Sequence, residues 1–75
     1  MPKLERVSGE KTIRALEKMG FVRVRQRGSH VVIKRQLAEG SVGCVVPLHK
    51  ELAIGTLRSI LRQAKISIEE FIENL

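Results

Sequence analysis

The sequence predicts an α+β domain: one helix, a three-stranded antiparallel sheet, then one or two C-terminal helices. Apolar residues recur at helical spacing near both ends of the chain, while apolar and polar residues alternate in the middle. Between two alternating runs sits Gly28-Ser29, the chemistry of a two-residue hairpin turn. At 75 residues the chain is read as one domain spanning 1–75, near the lower limit for folding without disulfide or metal staples.

The first helix is expected to start at Ser8 as N-cap, with Glu10 in its first turn and Lys18 in its last, both favourable to the helix dipole. Ile13, Leu16 and Met19 supply its core face, and Gly20 closes it in a left-handed conformation. Residues 21–27 and 29–35 then alternate with the period of strands. A two-residue loop at 28–29, as a type II′ turn, or at 27–28 sets Val22, Val24, Val31 and Ile33 on one face in either register. The other face takes Arg23, Arg25, Arg27, His30, Val32 and Lys34. Arg35 falls on the core parity.

Residues 37–41 read as a connecting loop and 42–46 as a third strand, which Pro47 ends or confines to an edge. Both parities of that strand are apolar, so its facing is open, and "LHKELAIG" at 48–55 has no clear assignment. Leu57, Ile60, Leu61 and Ala64 then form a helical stripe with Thr56 as cap and Arg58 and Arg62 outside. Ser67 and Glu70 make a capping box, with Ile66 and Phe71 as its hydrophobic staple. Helices covering one side of the sheet leave the other side bare, and the cationic hairpin face is expected there.

Charge is distributed unevenly. Residues 1–36 hold ten Lys or Arg against three Glu, whereas residues 37–75 hold four against five. No acid lies between Glu17 and Glu39, a span holding Arg23, Arg25, Arg27, Lys34 and Arg35. Like charges repel, and a phosphate backbone would relieve that repulsion, so a nucleic-acid partner is expected. All eight acids are Glu, mostly on helix exteriors, which argues against a converging carboxylate site for a hard cation. Cys44 is the single cysteine and excludes an internal disulfide; it suits a reducing cytoplasm and reads as a small core residue. No run is apolar enough to span a bilayer and no signal peptide is evident, so the expected location is cytoplasmic, away from membranes.

His30 lies in the cationic run beside the glycine turn. Surrounding positive charge is expected to disfavour imidazolium unless a phosphate anion offsets it, and a histidine able to act as base among phosphate-binding groups suits phosphodiester chemistry. In RNA the 2′-hydroxyl can attack its own phosphodiester, a reaction that requires neither metal nor covalent enzyme intermediate. Ser29 and His30 do not form a serine-nucleophile pair. Neighbouring strand residues point to opposite sides, and no Asp exists to orient the ring. Gly28 and Ser29 shape the turn, and the Ser29 hydroxyl is a candidate phosphate donor. His49, two residues past Pro47, is a candidate second acid/base partner, weighed against an ordinary loop histidine.

"GFVRVRQRGSHVVIKR", "VVPLH" and "GTLRSILRQA", in that order and spacing, resemble the HicA (YcfA-like) family of toxins from toxin–antitoxin pairs, over residues 8–75. The resemblance implies a fold like the double-stranded-RNA-binding domain. It also implies cofactor-free, metal-independent mRNA cleavage, with His30 as the essential group. Arg23, Arg25, Arg27, Gly28, Ser29 and Lys34 are then expected on the RNA, and a HicB-like antitoxin is expected to cover His30 and oppose the cations with acids. A non-catalytic RNA-binding module with the same fold is the alternative. Lys65 stands where such chains often have glycine, so a left-handed cap there would cost about 1 kcal/mol.

Overall fold

The computed structural model describes residues 3–75. Its order is α1 (Gly9–Lys18), β1 (Val22–Arg27), β2 (His30–Leu37), β3 (Gly40–Pro47), α2 (Ile54–Ala64) and α3 (Ile68–Glu73). The strands form one antiparallel sheet with β2 in the centre, and the α+β layout predicted by the periodicities is the one observed.

Each terminal helix begins where its capping chemistry lies. The Ser8 hydroxyl accepts from the Lys11 backbone N–H at 3.0 Å, and Ser67 and Glu70 satisfy each other's backbone groups in a complete capping box. For α2 the expected Thr56 cap is incorrect. The helix starts earlier, with Ala53 as an N-cap that offers no side-chain acceptor. Thr56 therefore lies inside the first turn, where the preceding residues 54–55 already follow helical geometry.

Ile13, Leu16, Phe21, Val31, Ile33, Cys44, Val46, Leu57, Ile60, Leu61 and Phe71 form the core between the sheet and the helices. Leu52 joins them from the connection that periodicity could not assign, and its N–H donates to the Val7 carbonyl at 2.7 Å. The open facing of β3 resolves with Cys44 and Val46 inward and Val45 outward. Burial pushes the Cys44 thiol up to about 11, as expected for a core thiol.

Two further corrections concern the connections. Residues 37–41 are not a loop: β2 and β3 run to Leu37 and Gly40, which pair with each other across a two-residue turn. Gly40, at φ 131°, occupies a conformation that other residues rarely adopt. Lys65 does close α2 in the left-handed region, at φ 58° and ψ 41°. That conformation costs an L-residue about 1–2 kcal/mol, partly offset by the greater unfolded-chain entropy of glycine. Lys65→Gly is therefore expected to stabilise the domain by roughly 0.5–1 kcal/mol. Thermal unfolding by circular dichroism should register a rise of a few degrees, and an unchanged or lower Tm would contradict it.

Candidate active site

The hairpin turn closes as its two residues dictate. Gly28 has φ 55° while Ser29 stays at negative φ, the combination of a type II′ turn, and Arg27 pairs with His30 across it. From this end the outer face of the sheet is built in rungs of strand partners. Arg27, His30 and Pro47 form the first rung, and Arg25, Val32 and Val45 the second. Lys34 and Gly43 lie opposite each other in the third, with Val22 beyond Lys34 on β1. The Lys34 stem lies against Gly43, where an added Cβ would stand 3.0 Å from Lys34 Cγ.

The expected facing of β1 is wrong in its first half. An irregularity between Arg23 and Arg25 leaves Val24 as an extra residue, so Arg23 pairs with Ile33 and Val22 with Lys34. The bulge reverses the parity on one side of it. Val22 and Val24 are 57% and 50% exposed instead of joining the greasy face, and Arg23 leaves the cationic one. Tertiary ion pairing accompanies this reversal. Arg23 Nη2 donates to Glu10 Oε2 at 2.5 Å and its Nε to Glu17 Oε2 at 3.3 Å, both carboxylates belonging to α1. The expectation that all five hairpin cations lack a carboxylate partner is thus corrected for Arg23.

Arg35 is also accounted for, on the core parity expected of it. Its guanidinium carbon lies 5.2 Å from the centre of the Phe21 ring, and Nη1 donates to the Met19 carbonyl at 3.1 Å. Arg25, Arg27 and Lys34 remain on the outer face, exposed, and form no ion pair among the described residues. The face they share with His30 carries no carboxylate on any rung. His30 is itself exposed, and its ring has no hydrogen-bond partner among the described residues.

Arg23 hydrogen bonding holds the Glu10 carboxyl below the usual carboxylate range; burial opposes this, and Arg14 adds to it from one turn away. A lowered folded-state value means the pair stabilises the protein above the unfolded carboxylate value of about 4.3, and the stabilisation is lost as pH falls through the folded value. The Glu10 side chain is 41% exposed, so solvent screening limits the effect to less than about 1 kcal/mol. Glu10→Gln should lower the urea midpoint at pH 7, and the gap from the wild type should shrink by pH 3. A gap that persists at pH 3 would mean the carboxylate charge is not the cause.

His49 lies past the end of β3, exposed, and its carbonyl accepts the Gly9 N–H at 2.9 Å. The Leu48 N–H donates to the Ser29 carbonyl at 2.6 Å, so the segment leading to His49 is tied to the hairpin turn. Periodicity gave no sign of Gly9's part in this. An added Cβ at Gly9 would stand 1.9 Å from the Pro47 carbonyl oxygen, so only glycine lets α1 approach this closely. Among the described residues no three His, Cys, Asp or Glu side chains cluster as a metal ion would require, and no helix is long and apolar enough to cross a membrane.

The family model for the HicA toxin of bacterial toxin–antitoxin systems matches residues 9–66, from the first residue of α1 to just past the Lys65 cap. No curated protein matches the chain. The matched span contains the whole sheet, both histidines and every outer-face cation. The chain belongs to the HicA toxin family, and membership in a toxin–antitoxin family implies an antitoxin partner.

Proposed function

We propose that this toxin is an endoribonuclease that cuts mRNA on the outer face of its sheet, with His30 as general base and without a metal. What supports this most is one placement: an exposed histidine on an end rung beside Arg27, without a hydrogen-bond partner among the described residues, on a face where those residues put Arg25 and Lys34 and no carboxylate. Arg25, Arg27 and Lys34 bind successive phosphates and fix the strand over the ring. His30 takes the 2′-hydroxyl proton, the 2′-oxygen attacks the adjacent phosphorus, and the bond to the 5′-oxygen breaks. The products are a 2′,3′-cyclic phosphate and a 5′-hydroxyl. Gly28 and Ser29 keep the turn tight enough for His30 to stand at the sheet end. Arg23, already bound to two carboxylates, serves the fold and contributes little to the RNA contact.

The antitoxin assigned to this toxin is a HicB-like protein that covers the same face. It would present carboxylates to Arg25, Arg27 and Lys34, and the exposed Val22 and Val45 offer it apolar contact that RNA would use less well. Encounter with an acidic partner is accelerated by the same uncompensated charge that attracts RNA. Both partners and the reaction belong in the cytoplasm.

A long mRNA incubated with the purified protein in EDTA tests the reading. Cleavage is expected, together with binding whose logarithm falls linearly with the logarithm of salt. Replacing Arg25, Arg27 or Lys34 with Ala should each reduce that slope by about 0.7, whereas Arg23→Ala should barely change it. RNA that is retarded in a gel but stays intact would indicate a binding module. RNA that is neither bound nor cut at low salt would leave only a protein-binding role.

A further inference from the structure

Transesterification needs two proton transfers, and His30 as base performs only one of them. The departing 5′-oxygen leaves as a strong base unless a second group protonates it. On the outer face the remaining donors are poor ones. A guanidinium serves as a hydrogen-bond donor rather than as a proton donor, which sets Arg27 and Arg25 aside, and Lys34 stands two rungs away from His30. Ser29 lies in the turn before His30, and its hydroxyl is neutral and far less acidic than an imidazolium.

We infer that His49 is the general acid that protonates the leaving 5′-oxygen, an assignment that rests on the ribonuclease reading above. Four observations converge on it. Pro47 is the strand partner of His30, and the Leu48 N–H bond to the Ser29 carbonyl carries the alignment one residue further. Pro47 lies on the outer side with its partner His30, Leu48 packs against the core, and His49 next to it is exposed. Antiparallel partners have Cα atoms about 5 Å apart and two further residues add at most about 7 Å, which keeps the two histidine Cα atoms within about 12 Å. Finally, the Gly9 N–H to His49 carbonyl bond and the close packing of Gly9 on Pro47 hold this segment in place from behind.

Such a spacing lets two imidazoles reach one phosphate from opposite sides, with Arg27 flanking His30 on the β1 side. In the step, the 2′-oxygen loses its proton to His30 and bonds to phosphorus. The phosphorus–O5′ bond breaks, and O5′ receives the proton of the His49 imidazolium. His30 ends protonated and His49 neutral, and exchange with water restores both.

The test compares ordinary RNA with RNA carrying a sulfur in place of the bridging 5′-oxygen at one linkage. Sulfur leaves as a stable thiolate and needs no acid. His49→Ala and His49→Gln should cut the ordinary linkage at least about 100-fold more slowly than wild type, yet cut the thio-linkage within a few-fold of it. His30→Ala should be slow on both. The Gly9 bond goes to the His49 backbone, so these side-chain variants leave it intact. Unchanged cleavage of ordinary RNA by both His49 variants, or an equal loss on both linkages, would overturn the inference while leaving the ribonuclease reading standing. A wild type that cuts neither linkage would overturn the ribonuclease reading itself.

Discussion

Replacing His30 with Ala is expected to reduce mRNA cleavage by about 10²–10⁴-fold, the range that general acid–base catalysis contributes. RNA affinity should change only a few-fold, because the phosphate contacts proposed for Arg25, Arg27 and Lys34 would remain in place. Stability should move by no more than about 0.5 kcal/mol, since the ring is exposed and its side chain bonds to nothing among the described residues. The combination is diagnostic. A folding defect would lower binding and cleavage together, whereas removal of a catalytic base separates them. Single-turnover cleavage with the protein in excess, alongside a gel-shift titration, reads both quantities. Residual cleavage within about tenfold of wild type would mean that another group takes the 2′-hydroxyl proton.

The largest expected effect on stability comes from a position with no chemical side chain. Gly9→Ala adds a methyl group where the Pro47 carbonyl oxygen already lies 1.9 Å from the Cβ position and Leu48 Cα lies 3.0 Å from it. All of these neighbours are backbone, so no side chain can swing aside to make room. Overpacking costs about 1–3 kcal/mol, occasionally more, and separating the segments also weakens the Gly9 N–H bond to His49. Helix propensity works the other way, with Ala favoured over Gly by up to about 1 kcal/mol. The clash wins because it is a backbone contact, giving a net loss of roughly 2–3 kcal/mol. For a domain of this size that lowers Tm by about 10 °C or more. Cleavage should fall as well, since the displaced segment sets Pro47 opposite His30 and carries His49. Equal or higher Tm in the Ala variant would show that the 47–49 segment moves freely, contrary to the packing described.

The fold was readable wherever local chemistry decided it. Ser8, Gly20, Ser67 and Glu70 mark helix ends by bonds made within a few residues, and Gly28-Ser29 marks the turn by its own φ preference. Alternation around the turn correctly put His30, Arg25, Arg27 and Lys34 on one face. It failed at Val24 because a bulge obeys distant partners: Arg23 turns toward Glu10 and Glu17, thirteen and six residues away in sequence. A hydrophobic pattern records neither event. β1 is an edge strand, so its valines tolerate solvent more readily than Val31 and Ile33 of the central strand. Gly9 was illegible for a related reason, since its smallness matters only once α1 and the end of β3 meet. Leu52, buried in a stretch with no period at all, is fixed by the Val7 carbonyl rather than by its neighbours.

The same division holds for the candidate site. His30 could be singled out from its surroundings in the chain, because five cations without a nearby acid are visible in one line of sequence. Which of those cations stay free required the ion pairs. Arg35 is occupied by Phe21 and Met19, Arg23 by two carboxylates, and three remain for a partner. A surface that, among the described residues, carries three unpaired cations, no carboxylate and an exposed imidazole suits both an RNA backbone and an acidic inhibitor. On the proposed reading, competition between the two for one face would silence the toxin.

The central claim is that His30 drives attack by the neighbouring 2′-hydroxyl, and the chemistry of the cut ends tests it most directly. An mRNA digested in EDTA should yield fragments ending in 2′,3′-cyclic phosphate or its hydrolysis product, with 5′-hydroxyl groups on the downstream pieces. Fragments bearing 3′-hydroxyl and 5′-phosphate ends would mean that water is the nucleophile, and the role assigned to His30 would be contradicted.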